Sequence, residues 1–199
     1  MKILLVDFND SFTAILAQTL AESYENTTVI VKNISSAISK DYSKEYDGIV
    51  LGPGPGHVTE YKRAFEIVEK NAGILPILGI CLGHQIISYM FGAKLINLPQ
   101  VSHGKKAEMQ HCGNSLIFTY VPTLFYAGLY HSWVVDKWPE TLEVTSVKRD
   151  NDLIMSIKHK ILAIEGLQFH PESYMTAYGK RMLGNWIGLV CDTQYKNFL

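Results

Sequence analysis

The segment Leu75-Pro76-Ile77-Leu78-Gly79-Ile80-Cys81-Leu82-Gly83-His84-Gln85 changes character at its centre. Leu75 to Ile80 reads as a short buried strand. From His84 to Phe91 the apolar residues Ile86, Ile87, Met90 and Phe91 recur at helical spacing, and Gly92 is placed to end that helix. Between them stands Gly79-Ile80-Cys81-Leu82-Gly83, the G-x-nucleophile-x-G pattern of a strand-to-helix elbow. Such a turn pushes one side chain outward and needs neighbours that tolerate unusual backbone angles and close approach, which glycine supplies.

The segments before this elbow follow the same logic. Lys2 to Val6, Thr28 to Val31 and Gly48 to Leu51 read as strands. Asp10 or Ser11 is expected to cap a helix carrying Phe12, Ile15, Leu16 and Leu20, and Glu60 to Lys70 reads as a surface helix stopped near Gly73. Alternation of this kind predicts an α/β fold: an open, mostly parallel twisted sheet with helices on both faces. Between residues 93 and 170 the texture shifts to short segments rich in Val, Ile, Thr and Tyr, separated by turn signals such as Cys112-Gly113-Asn114 and Asp150-Asn151-Asp152. They predict a smaller antiparallel region, and Tyr178 to Val190 predicts a closing helix.

Composition narrows the function. At 199 residues and 47% hydrophobic content, the expectation is one domain spanning 1–199. A formal net charge of -1, without a basic run, argues against nucleic acid or an anionic membrane as partner. The apolar N-terminal run stops at Asp7, far short of a signal-peptide core or a membrane span, so a cytoplasmic location is expected. Cys81, Cys112 and Cys191 are too few and too scattered for a disulfide framework or a metal knuckle.

Cys81 is the thiol with a telling context. At a helix N-terminus the dipole and unpaired N–H groups favour the reactive thiolate, whereas an isolated cysteine is usually a small buried hydrophobe. A base is offered by Gln168-Phe169-His170-Pro171-Glu172-Ser173, which follows the expected strand Ile161 to Leu167. The proline biases His170 to an extended conformation, so His170 and Glu172 fall on one side, with α-carbons about 7 Å apart by strand rise. Thiol, imidazole and carboxylate would then be nucleophile, base and orienter. His-Pro-Glu taken alone is a weak signal and gains force beside Cys81. Leu51-Gly52-Pro53-Gly54-Pro55-Gly56 follows a strand and presents N–H groups; Gly54 N–H and Leu82 N–H are the expected oxyanion donors, each worth about 3 kcal/mol of barrier. The loop lacks the spacing of a nucleotide-binding glycine motif.

Taken in order, Pro53-Gly54-Pro55-Gly56, Gly79-Ile80-Cys81-Leu82-Gly83-His84-Gln85, Tyr130-His131-Ser132 and Glu165-Gly166-Leu167-Gln168-Phe169-His170-Pro171-Glu172-Ser173 resemble the class I, triad-type glutamine amidotransferases. Asp10-Ser11-Phe12 and His103-Gly104-Lys105 bring the resemblance nearest to component II of anthranilate synthase and of aminodeoxychorismate (para-aminobenzoate) synthase. It implies a triad of Cys81, His170 and Glu172. It also implies glutamine contacts from Gly54, Gly56, Leu82, Gln85, Ser132 and Trp133, with Leu82, Ser132 and Trp133 acting mainly through backbone. L-Glutamine is the implied substrate, and ammonia would pass to a chorismate-using synthase subunit in a heterodimer or larger assembly; no cofactor or metal is implied. Gly52, Val58, Trp133 and Phe8-Asn9 depart from the family's usual serine, proline, leucine and Asn-Tyr. A stand-alone amide or γ-glutamyl hydrolase, or a non-catalytic regulatory subunit, are the alternatives on the same scaffold.

Overall fold

Lys2–Asp7 (β1), Thr28–Asn33 (β2), Gly48–Leu51 (β3) and Ile77–Ile80 (β4) form parallel pairs in a computed structural model that describes residues 1–191. A distant segment, Ile164–Leu167 (β9), joins β4 in parallel. The sheet then continues antiparallel through Ile154–His159 (β8), Leu142–Lys148 (β7), Lys94–His111 (β5) and Leu124–Lys137 (β6), in the order β2-β1-β3-β4-β9-β8-β7-β5-β6. The expected α/β sheet with an antiparallel extension is therefore present. The antiparallel part is less fragmentary than its turn signals suggest, because β5 runs for 18 residues and β6 for 14. Register shifts between Asn97 and Ser102 and between His103 and Lys105 let the long pair bend without ending.

Buried parallel strands carry continuous apolar runs because both faces are covered. In β1, Leu4 and Val6 face one core while Ile3 and Leu5 face the other, and period-two alternation repeats this in β3 with Ile49 and Leu51 against Val50. The first core is closed by Lys62–Asn71 (α2) and Leu82–Met90 (α3), through Ala64, Ile67, Val68, Ile86 and Ile87. The second is closed by Thr13–Ser23 (α1) and Gly179–Cys191 (α4), through Leu16, Leu20, Met182, Leu183 and Trp186. Full burial of one such leucine contributes about 1.5–3 kcal/mol.

Several boundaries differ from expectation. The cap position of α1 is Phe12, not Asp10 or Ser11; Asp10 Oδ1 instead accepts the Phe12 N–H at 2.8 Å, tying the preceding turn. The Glu60 helix begins as a separate 3-10 turn, Val58–Glu60, capped by His57 and Glu60, and α2 starts at Lys62. Helix α3 starts at Leu82 rather than His84, directly after the cysteine. Strand β9 begins at Ile164 rather than Ile161.

Candidate active site

Cys81 adopts φ 51° and ψ -101°, a conformation costing of order 1–3 kcal/mol for a residue with a side chain. Its neighbours show why glycines flank it. A Cβ on Gly79 would lie 2.4 Å from the Gly83 carbonyl, and one on Gly83 would lie 2.2 Å from Leu51 O. The elbow is also tied to the next strand, since Cys81 N–H donates to Leu167 O at 2.8 Å.

That tie sets where the chain leading to His170 leaves the sheet. Ile80 pairs with Leu167, so the residues that follow Leu167 leave β9 beside the elbow. The chain is then held by an isolated bridge from His170 to Gly128, with His170 N–H donating to Gly128 O at 3.1 Å. Thr176 fixes the same turn, its hydroxyl donating to His170 O at 2.6 Å and accepting from Gly128 N–H at 3.0 Å. His170 Nδ1 stands 2.7 Å from Glu172 Oε1. A carboxylate accepts, so Nδ1 carries the hydrogen, and Nε2 has no partner among the described residues. Burial opposes a charge on this imidazole, but Cys81 and Glu172 outweigh it and hold its pKa well above the ordinary value. Glu172 is reached through a turn rather than along a strand, which closes the gap that extended geometry leaves.

The oxyanion candidates come from the loop after β3 and from the first residue of α3. Neither Gly54 N–H nor Leu82 N–H has an acceptor among the described residues, and a Cβ on Gly54 would meet Leu82 Cδ2 at 2.6 Å, so the two segments touch. Gly56 is exposed and has φ +77°; its Cβ would strike the Glu60 carboxylate that accepts the His57 N–H, so glycine here serves the capped turn. Ser132 and Trp133 lie on β6 and are partly buried. The Trp133 carbonyl accepts from Gln85 Nε2 and from His131 Nδ1, both at 3.0 Å, and its ring packs against His57 at 4.5 Å. Burial pushes the pKa of His131 down to about 4 and that of His84 to about 3, with His131 adding to the latter, so both rings are neutral.

Three residues quoted in the motifs but given no role of their own also converge here. The rings of Phe12 and Tyr130 each lie 4.9 Å from the His170 ring. Gln168, wholly buried, has Nε2 3.7 Å from Cys81 Sγ. Phe12 and Tyr130 stood out only through the family resemblance, and the one local hint for Gln168 was its place two residues before His170. Of the departures, Gly52 sits where a Cβ would be 2.9 Å from Val6 O, and Val58 is fully buried in the first core.

An α/β sheet with a thiol, an imidazole and a carboxylate gathered at the carboxyl end of its parallel strands is the framework of a thiol-dependent acyl-transfer enzyme. A family model described as "Glutamine amidotransferase class-I" matches residues 4–189, and the chain belongs to that family. It is 40% identical over 189 residues to "Aminodeoxychorismate/anthranilate synthase component 2" of Bacillus subtilis, covering 93% of this chain and 95% of that one. It is 37% identical to "Anthranilate synthase component 2" of Porphyra purpurea, over 93% and 98% of the two chains. Against the "Bifunctional protein TrpGD" of Thermotoga maritima it is 36% identical over 98% of its own length but only 33% of that longer protein. A solved structure from Thermoplasma acidophilum, described as one of the subunits of a GMP synthase, superposes with a TM-score of 0.82, covering 99% and 96% of the chains at 24% identity, and shows the shared fold. No helix among the described residues is long and apolar enough to cross a membrane.

Proposed function

We propose that this chain, acting as one domain over 1–199, is a cytoplasmic glutaminase subunit. It hydrolyses L-glutamine to glutamate and ammonia through a cysteinyl thioester and delivers the ammonia to a chorismate-using synthase subunit, for anthranilate or para-aminobenzoate synthesis. Cys81 Sγ attacks the side-chain carboxamide carbon, and the resulting oxyanion meets the Gly54 and Leu82 N–H groups. Protonated His170 passes its Nε2 proton to the departing nitrogen, and ammonia leaves as the thioester forms. His170 next takes a proton from water, whose oxygen attacks the thioester and releases glutamate and thiolate. Glu172 holds the imidazole throughout.

Gly56, Ser132 and Trp133 complete the glutamine pocket in this reading. Gln85 contributes Oε1 alone, because both hydrogens of its Nε2 have acceptors in Trp133 O and Gln168 Oε1, so it meets a donor such as the substrate ammonium. The observation that carries the proposal is the buried 2.7 Å His170–Glu172 pair beside the Cys81 elbow. The choice of partner is supported by the names of its relatives, component 2 of anthranilate synthase and of aminodeoxychorismate/anthranilate synthase.

The test pairs the full chain with candidate synthases and measures glutamate release and the chorismate product formed from glutamine. Hydrolysis is expected to rise when synthase and chorismate are present, and Cys81→Ala should abolish it while leaving partner binding intact. Full turnover by Cys81→Ala would overturn the proposal. Turnover of γ-glutamyl amides that no synthase alters would move the protein to a stand-alone hydrolase.

A further inference from the structure

The buried amides beside Cys81 form a chain whose direction can be worked out from one fixed point. Gln85 Nε2 lies 3.0 Å from Trp133 O and 3.1 Å from Gln168 Oε1, and Gln168 Nε2 lies 3.7 Å from Cys81 Sγ. A backbone carbonyl can only accept. Gln85 must therefore turn its NH2 toward Trp133, and the second hydrogen of that NH2 points at Gln168. Gln168 has to answer with its oxygen, which leaves its own NH2 for the sulfur. Flipping either amide sets oxygen against oxygen or NH2 against NH2 inside a site where Gln168 is 0% and Gln85 4% exposed, a mismatch that is costly for buried polar groups. The anchoring carbonyl is held from a second side by His131 Nδ1 at 3.0 Å.

We propose that Trp133 O, Gln85 and Gln168 form a one-way hydrogen-bond relay that keeps an N–H donor on the Cys81 sulfur. Gln168 is then a catalytic residue in contact with the reacting atom, and Gln85 is a positioning residue that acts through it. The inference deepens the glutaminase reading and rests on Cys81 being its nucleophile. An N–H facing sulfur stabilises the thiolate more than the thiol, since hydrogen bonds to a charged partner are the stronger kind. In a buried site that donor replaces the water a free thiolate would use. The same donor receives the thiolate again when water cleaves the thioester.

The relay is tested on the sulfur itself, without glutamine. The full chain is alkylated with iodoacetamide from pH 5 to pH 10 and modification of the Cys81 peptide is followed by mass spectrometry, which separates it from Cys112 and Cys191. The variants are Gln168→Met, Gln85→Met and the double variant, each checked by circular dichroism. In Gln168→Met the pH midpoint of alkylation should move upward and the rate at pH 7 should fall about tenfold. Gln85→Met should move the midpoint in the same direction by less, and adding it to Gln168→Met should change nothing more. An unmoved midpoint in Gln168→Met, or a Gln85→Met effect that persists in full without Gln168, overturns the relay. Should Gln168→Met fail to fold, Gln85→Met decides alone, because an unshifted midpoint there removes the positioning step. Shifted midpoints without glutamine turnover on any synthase would sink the function and keep the relay; normal turnover with unmoved midpoints would do the reverse.

Discussion

His170 Nδ1 and Glu172 Oε1 meet at 2.7 Å, in side chains that are 2% and 0% exposed. In the proposed reaction the carboxylate fixes which ring nitrogen carries hydrogen and favours the charged imidazole formed during proton transfer. Glu172→Gln keeps the shape and removes the charge, so kcat for glutamine should fall by about 10³- to 10⁴-fold with KM little changed. Steady-state kinetics of the complex with its synthase, alongside a thermal melt, checks this. A kcat within a few-fold of wild type would show that the pair is structural.

The elbow is predicted to reject even one methyl group. Gly83→Ala places a carbon 2.2 Å from Leu51 O, a backbone atom of a central strand that cannot rotate away. Relief requires α3 to lift from β3, so unfolding stability should drop by about 3 kcal/mol or more. Urea denaturation measures the loss, and a drop under 1 kcal/mol would contradict the packing described.

Phe12 and Tyr130 are expected to act through their rings. Tyr130 Oη also lies 3.2 Å from Ser173 Oγ, so Tyr130→Phe removes a hydrogen bond while keeping the ring 4.9 Å from His170. Activity should stay within about twofold in Tyr130→Phe and fall by about tenfold or more in Tyr130→Ala, which lets water and motion reach the imidazole. Equal losses in the two variants would transfer the role to the hydroxyl.

Glu165 should make stability depend on pH away from the reacting groups. Burial raises its pKa from 4.5 to about 7, against the opposing effects of the Ser115 hydroxyl, 2.5 Å from Oε2, and of Lys158. The folded chain thus holds this proton more tightly than the unfolded one. Its contribution is full below about pH 4.5 and is lost as pH rises to about 7. Glu165→Gln should match wild type near pH 4 and exceed it by about 2–3 kcal/mol at pH 8, read from denaturant midpoints at the two pH values. A difference that does not change with pH would refute the assignment.

Local grammar reached a long way into this molecule. Unbroken apolar runs such as Ile3 to Val6 specify strands covered on both faces, and the glycines around Cys81 specify an elbow, because both requirements act over a few residues. Boundaries were less legible: the α1 cap at Phe12 and the separate turn at Val58–Glu60 depend on where neighbouring strands end.

By itself, then, the sequence determined the alternating α/β plan, the elbow and the chemical identities of thiol, imidazole and carboxylate. Only the tertiary structure decided that β9, far along the chain from β4, lies against it in register, with Leu167 O accepting the Cys81 N–H so that the segment carrying His170 leaves β9 next to the elbow. It alone oriented the buried amides of Gln85 and Gln168, since that orientation descends from a carbonyl on β6. The physical reason is that pairing between strands far apart in the chain is selected by the shared core and by backbone groups that must be satisfied, and no local window of residues contains either condition.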